Sequence, residues 1–226
     1  TLEYDGFFKW INNRDEGIPG YIMVDAVNNK ADYIELSDGI IYSDSGYFGE
    51  YLERKLRFDY PTKIFDRISF EVDENGKAWY VVSCATAKIG LFGAMDIHEV
   101  ILFDPTTGDS TLMTVEETPN WVDIVYDGYL ATEKFNWQGM LSGGYLNSII
   151  GNVGCKQATD DFGYIVIGDD VWYFTGVTSA VSNDKSNIGF ILTNARTGEY
   201  KFYPVIGAEE HTHAAENLST ERYGVA

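Results

Sequence analysis

Two similar decapeptides, ILFDPTTGDS at residues 101–110 and ILTNARTGEY at residues 191–200, lie 90 residues apart in this chain. Each has an apolar run, then an Asp or Asn, and then a glycine. This pattern predicts two strands joined by a short turn, because the Asp or Asn side chain accepts turn N–H groups and glycine adopts positive φ without strain. Turn geometry explains the spacing without the additional acidic ligands of an EF-hand or the lysine of a P-loop.

A looser third copy, IMVDAVNNKA, begins at Ile22, and Asn29 stands there in the glycine position. Asn is the next most tolerant residue at positive φ. Repeats of this kind indicate a repeated structural unit, complete twice and partial once.

A second hairpin precedes each complete copy. In FDRISFEVDENGKAWYVVSC, which begins at Phe65, Asn75-Gly76 is a strong turn signal. A two-residue loop at that point places Val72 opposite Trp79, and this pairing puts Trp79 on the apolar core face rather than on an exposed sugar-stacking surface.

The second of these hairpins is DFGYIVIGDDVWYFTGV, which begins at Asp161. A turn at Asp169-Asp170 would place Ile165 and Ile167 on the same face as Trp172 and Phe174. Core packing is therefore the favoured role of Trp172 as well.

A helix is predicted before each hairpin. In SGYFGEYLERKLRFDYP, Ser45 is the candidate N-cap, Leu52 and Leu56 continue an apolar stripe that begins at Phe48, and Pro61 stops the helix. In the second half, a helix is expected to begin at Thr118-Pro119 and to resume in the segment that begins with Tyr129.

Helices that bury an apolar stripe against antiparallel hairpins make an α+β fold. The order of the elements divides the chain into a partial N-terminal unit at 1–43, a first unit at 44–117, a second unit at 118–208 and a tail at 209–226.

The composition limits the classes of partner. Sixteen basic and thirty-five acidic residues give a formal charge of −19, which repels nucleic acid and anionic lipid. No apolar run is long enough to span a membrane, so the chain itself is not expected to cross one. For Cys84 and Cys155, buried free thiols are favoured over a single disulfide between the halves and over a reactive thiol.

The motifs of the first complete unit carry a resemblance. The order helix, ISFEVDENGKAWYVV, connection, EVILFDPTTGDSTLMTV resembles the PepSY pattern, which is matched by Tyr80, Val82, Asp104, Thr107 and Gly108. PepSY units are small α+β units of bacterial secreted and membrane-attached proteins and of protease propeptides.

The resemblance of the whole chain is to uncharacterised bacterial proteins that have a membrane anchor and an extracytoplasmic body. It is carried by FFKWINNRDEGIPGYIMVD and SNIGFILTNARTGEYKFYPVIGAEE, among other stretches. It implies an extracytoplasmic location, tethered to the membrane in the full-length protein, and transfers no catalytic residue, metal or cofactor.

The sequence contains only weak candidates for a catalytic or metal-binding site. His211 and His213 lie in a polar tail without a well-spaced third ligand, and His98 fits a surface position. The acidic pairs at 160–161 and 169–170 lie at strand ends, where acidic residues are common in turns. Ser142 lacks the elbow motif of a serine hydrolase. We therefore predict no catalytic residue, no metal and no cofactor.

The segment AKIGLFGAMDIH puts apolar residues among glycines where a connection would be polar, namely Ile89, Leu91, Phe92 and Met95. Packing over the core is the favoured interpretation. The alternative is that these four residues form a binding pocket for a partner, in which an extended peptide adds a strand to a sheet edge.

Three functions follow as hypotheses. The first is a non-catalytic extracytoplasmic binding or regulatory module, directed at a peptide or protein. The second is a hydrolase that acts on cell-wall or glycan material with carboxylates. The third is a structural spacer of a membrane-anchored protein.

Overall fold

The computed structural model describes residues 2–25, 28, 30–89, 94–141, 156–168, 170–179 and 187–205. Over these residues the chain is a mixed α+β protein of antiparallel sheets and three α-helices, as expected for its fold class. The helices are α1 (Phe7–Asn13), α2 (Leu52–Asp59) and α3 (Gly128–Leu141). The strands are β1 (Ile18–Asp25), β2 (Lys30–Ile40), β3 (Ile64–Val72), β4 (Ala78–Ile89), β5 (Ala94–Phe103), β6 (Ser110–Thr114), β7 (Lys156–Ile167), β8 (Asp170–Ser179), β9 (Asn187–Asn194) and β10 (Tyr200–Pro204).

The strands form one two-stranded sheet and two four-stranded sheets. β1 pairs with β2, and the two larger sheets have the orders β3-β4-β5-β6 and β7-β8-β9-β10. Chain neighbours are therefore sheet neighbours in both, which is the strand order that two related halves require. The chain divides into unit 1, Thr1–Ala85 with His98–Val122, and unit 2, Thr86–Ile97 with Asp123–Ala226.

In unit 1, helix α2 packs on its sheet through one apolar stripe. Leu52 and Leu56 are fully buried, as the sequence predicts. Their cluster contains the side chains that point toward the helix from β4 and β5, which are Tyr80, Val82, Cys84, Ile101 and Phe103.

In unit 2, helix α3 buries residues against the second sheet in the same way. Phe135 packs with Ala158, Val177 and Ile191. A neighbouring cluster contains Ala131, Tyr173 and Ala195.

The repeated decapeptide forms the same hydrogen-bonded turn in both units. In unit 1 an oxygen of Asp104 accepts the N–H groups of Thr106 at 2.8 Å and Thr107 at 3.2 Å. In unit 2 the corresponding oxygen of Asn194 accepts two N–H groups at 2.9 Å, those of Arg196 and Thr197. A neutral amide therefore performs the same accepting role as a carboxylate at this position.

Each turn also binds an upstream segment of the chain through one of its carbonyl groups. The carbonyl of Pro105 accepts the N–H groups of Ile41 and Tyr42, both at 2.9 Å. The carbonyl of Ala195 accepts those of Val125 at 3.0 Å and Tyr126 at 2.7 Å. The stretches IIY at 40–42 and IVY at 124–126 are the sequence signal of this contact.

Helix α2, which the sequence predicts to start after Ser45, begins later than predicted. Ser45 is not the N-cap of α2, because the hydroxyl oxygen of Ser45 accepts the N–H of Tyr4 at 2.9 Å. Phe48 has a φ of 53°, which no α-helix accommodates, and starts a short 3-10 helix at Phe48–Glu50. Tyr51 is the N-cap of α2, which ends at Asp59, before Pro61.

The prediction of a helix start at Thr118-Pro119 is wrong. Residues Val115–Glu117 form a 3-10 helix with a capping box between Thr114 and Glu117. The next residues form a turn, in which the N–H of Val122 donates to the carbonyl of Pro119 at 3.1 Å, and α3 begins only at Gly128, where the carboxylate of Asp127 accepts the N–H of Leu130 at 2.6 Å.

The register predicted for the first upstream hairpin is wrong by one residue. Glu71 pairs with Trp79 and Phe70 pairs with Tyr80, because the loop has one residue more than predicted and Gly76 in it has a φ of 81°. A one-residue change turns each side chain to the other face. Trp79 is therefore half-buried on the face opposite Tyr80, and its indole N–H donates to Asp73 at 3.2 Å.

The second hairpin turns one residue earlier than predicted. Ile165 pairs with Trp172 and Ile167 with Asp170, around Gly168, which has a φ of 66°. Ile165 and Trp172 thus share a face as expected, but Trp172 is only half-buried and the core of this sheet lies on the Tyr173 face.

The N-terminal copy is also a hairpin, formed by β1 and β2. Asn29, its predicted left-handed residue, lies outside the described residues. Cys84 is a buried free thiol, as favoured from the sequence, while Cys155 lies outside the described residues. Among the described helices, none has the length and apolar content needed to cross a membrane.

Candidate functional site

The segment predicted to form a binding pocket is mostly strand rather than connection. Ile89 is the last residue of β4, and Met95 lies half-buried near the start of β5. Leu91 and Phe92 lie outside the described residues, so the pocket itself stays a prediction.

Of the two acidic pairs considered for catalysis, the structure describes one side chain, that of Asp170. Asp170 is held by Arg196 and by the amide of Asn194, the latter at 2.9 Å. Partial burial raises the pKa of the Asp170 carboxyl, but these hydrogen bonds outweigh it and the pKa lies below its usual range. Asp169 and the side chains of Asp160 and Asp161 lie outside the described residues.

Among the described residues, no histidine belongs to a metal-binding group. His98 is exposed on β5, as expected for a surface residue. His211, His213 and Ser142 lie outside the described residues. Over the part of the chain that the structure describes, no group of acidic, histidine or cysteine side chains is arranged to hold a metal ion.

Among the described residues of unit 2, several exposed apolar side chains lie on β7. β7 stands at the end of its sheet and pairs with β8, and no described strand pairs with its other side. Within the described part of the chain, the outer backbone N–H and C=O groups of residues 162–167 therefore face no other strand and can pair with an added one, whereas the N–H of Ala158, earlier in β7, donates to the side chain of Asn136 at 2.7 Å.

Alternation along β7 turns three large side chains to one face. Phe162, Tyr164 and Val166 are 38%, 63% and 69% exposed. Their partners across the ladder are Thr175, Tyr173 and Val171, of which Thr175 and Tyr173 are buried. The exposed face of β7 is thus a continuation of the core face of this sheet.

Helix α3 covers that face only in part. Phe162 packs on the start of the helix, where a β-carbon on Gly128 would lie 2.3 Å from its ring. Its ring also lies 5.8 Å from that of Tyr173, and the Tyr164 ring lies 5.2 Å from the same tyrosine. Beyond Phe162 the strand runs past the helix, and Tyr164 and Val166 remain exposed.

The equivalent edge strand of the first sheet has a different chemistry. β3 carries Asp66, Arg67 and Glu71 within nine residues, and charges of this kind discourage pairing at an edge. The last six residues of β7, FGYIVI at 162–167, carry none. The two edges have the same place in the strand order, so the contrast is a property of side chains and not of topology.

Sequence reasoning treated FGYIVI as an ordinary core strand. Alternation shows which residues share a face, but it does not show where a covering helix ends. The absence of charge in the last six residues of β7, compared with the charged residues of β3 at the same position of the repeat, was the signal that could have marked this edge.

Comparison of the chain with protein-family models, with curated proteins and with solved structures gives no match.

Proposed function

We propose that this chain is a non-catalytic binding module that takes an extended peptide segment of another protein along the outer edge of β7. The observation that carries the proposal is the uncharged, half-covered edge at residues 162–167. Main-chain hydrogen bonds would supply affinity, and the exposed rings of Phe162 and Tyr164 would receive alternate side chains of the peptide.

The charge of the chain favours a neutral or basic peptide over a second copy of itself. Two copies would each bring a formal charge of −19 to the contact. Like charges of this size oppose self-association, whereas a basic segment is attracted. The resemblance to PepSY units and to membrane-anchored bacterial proteins supports an extracytoplasmic setting, which is part of the proposal.

A random peptide library displayed on phage and selected against the intact chain tests the proposal. Selected peptides should lose at least about tenfold in affinity for Tyr164→Lys/Val166→Lys, because charge is placed on the edge. Ile64→Lys is the matched control, since Ile64 lies on the edge strand β3 and is 53% exposed.

Backbone chemistry separates strand addition from side-chain binding alone. Methylating alternate peptide nitrogens removes the donors of one edge of the peptide, so one set of methylations should abolish binding and the other should be tolerated. Selected peptides that bind the double-lysine variant unchanged, or a selection that yields no binder, would contradict the proposed function.

A further inference from the structure

Unit 1 contains a cavity that none of the proposals above uses. It is an open pocket of about 390 Å³ between the N-terminal segment and the turn before α2. Aromatic rings form much of its lining, together with a carboxylate and a guanidinium. The residues that matter for the argument are Tyr4, Asp44, Tyr47, Phe48, Tyr51 and Arg54.

The rings on one side are fixed by an aromatic cluster. Trp10 is 1% exposed, and its ring centroid lies 5.3 Å from that of Tyr47 and 5.8 Å from that of Phe48. The indole N–H of Trp10 donates to Glu50 at 2.7 Å, and Arg14 pairs with the same carboxylate at 2.7 Å. Helix α1 is thereby fastened to the turn that presents Tyr47 and Phe48.

Phe48 is held in a conformation that a bulky side chain rarely adopts. Its φ of 53° is the only positive value of a non-glycine residue in the described part of the chain. Nevertheless its side chain is 64% exposed, so burial of the ring does not account for the strain. Strain of this kind concentrates at sites that hold a ligand.

The polar groups of the cavity favour a positive charge. Asp44 makes no hydrogen bond or ion pair with the described residues and stands near Glu3 and Glu53. Burial raises the pKa of the Asp44 carboxyl, and these two carboxylates raise it further. The hydroxyl of Tyr4 is buried and has no hydrogen-bond partner among the described residues. Arg54 is the cation of the lining, and its guanidinium lies over the Phe58 ring at 5.6 Å.

We infer that this cavity binds an organic cation, an ammonium or guanidinium group, between the rings of Tyr47 and Phe48 and the carboxylate of Asp44. Aromatic faces attract cations through their quadrupole, and a carboxylate at the same site adds a direct charge interaction. The inference concerns unit 1 and does not depend on the peptide edge proposed for unit 2.

Choline and its neutral isostere 3,3-dimethylbutanol test the inference on the intact chain. Titration by saturation-transfer NMR should show choline bound at least about tenfold more tightly than the alcohol, because shape and apolar area are shared and charge is not. Equal binding of the two, or binding of neither, would overturn the inference.

Three variants locate the site. Asp44→Asn should weaken choline binding and Arg54→Gln should strengthen it, because one removes an attractive charge and the other a repulsive one. Asp15→Asn is the matched control, since the Asp15 side chain is 98% exposed and does not line the cavity. Choline affinity that is the same in all three variants would exclude the cavity as the site.

The variant Phe48→Gly removes the ring and is expected to fold, so it tests the role of the ring separately from stability. Glycine adopts a φ of 53° without strain, so the melting temperature should stay the same or rise while choline binding falls. A variant that melts like the parent chain and keeps full choline affinity would refute the role of the Phe48 ring.

Discussion

Glycine is required at two equivalent residues for two separate reasons. Gly108 and Gly198 have φ values of 79° and 67°, which disfavour any side chain. A β-carbon on either would also lie 2.6 Å from the ring of a tyrosine, Tyr42 in unit 1 and Tyr126 in unit 2. The glycine of each repeat therefore leaves space for a tyrosine ring and also allows the turn.

Alanine substitutions separate these two reasons. We expect Gly76→Ala to cost about 1 kcal/mol, because its φ is 81° but no atom lies within 4 Å of the added carbon. Gly108→Ala should cost clearly more, about 2 to 4 kcal/mol, because the Tyr42 ring must also move.

Gly49→Ala is the control, since it has neither a positive φ nor a neighbour within 4 Å. Urea unfolding curves give the three free energies. Equal losses for Gly76→Ala and Gly108→Ala would mean that the tyrosine contact carries no energy.

Asp104 combines the turn with an ion pair. It is 5% exposed, and its carboxylate lies 2.7 Å from the ammonium of Lys77. Burial by itself raises the pKa of this carboxyl, but hydrogen bonds from Lys77, Thr106 and Thr107 outweigh it, so the pKa lies below its usual range.

A depressed pKa makes Asp104 a source of acid sensitivity. The stabilisation is present above the unfolded-state pKa, about 4, and is lost as the pH falls through the lower folded-state value. We expect Asp104→Asn to cost about 1 kcal/mol at pH 7 and little at pH 2, because the amide keeps the turn bonds, as Asn194 does in the second unit.

Asp104→Ala should cost about 2 kcal/mol or more at neutral pH, because two turn N–H groups lose their acceptor inside the fold. Urea unfolding at pH 7 and pH 2 measures both variants. An Asn variant as damaging as the Ala variant would mean that the charge, and not the turn, determines this position.

At the scale of the element, helix α2 is stabilised through its buried stripe and only weakly through its ends. Its N-cap, Tyr51, makes no side-chain capping bond. The pair Lys55 and Asp59 lies one turn apart near the helix end, where such pairs contribute a few tenths of a kcal/mol. Burial of Leu52 and Leu56 is the larger contribution.

Leu56→Ala should therefore destabilise the protein by about 2 to 5 kcal/mol, because it leaves a cavity in a closed cluster. Phe58→Ala, in the same helix, should cost less than about 0.5 kcal/mol, since Phe58 is 72% exposed. Thermal melts compare the two, and a similar loss in both would show that packing does not determine the stability of α2.

At the scale of the whole molecule, the reactivity of the Cys84 thiol shows whether the core of unit 1 is closed. It is 1% exposed, and burial raises its pKa to about 11. A thiol reagent requires a thiolate and access, and neither is present while the cluster is intact.

In a Cys155→Ser background, which leaves a single thiol, we expect Cys84 to react at least about a thousandfold more slowly in buffer than in denaturant. The rate of absorbance change with a chromogenic disulfide measures this ratio. Rapid reaction in buffer would show that the core opens without global unfolding.

The sequence by itself determined the repeat, the presence of the hairpins and the α2 stripe of Leu52 and Leu56. These features rest on local chemistry: a polar acceptor and a glycine specify a turn, and spacing specifies a face. It did not determine the register of the first upstream hairpin, because a one-residue difference in loop length is not encoded by Asn75-Gly76 alone.

Tertiary structure decided the two candidate sites. The apolar edge of β7 is exposed because α3 begins beside Phe162 and leaves Tyr164 uncovered, and the position at which a covering helix begins does not follow from the strand it covers. The unit 1 cavity brings Tyr4 of the N-terminal segment against Asp44 and Phe48 of the turn before α2, and Trp10 of helix α1 packs against the Phe48 ring of that turn. Sites of this kind depend on long-range packing, which no local pattern records.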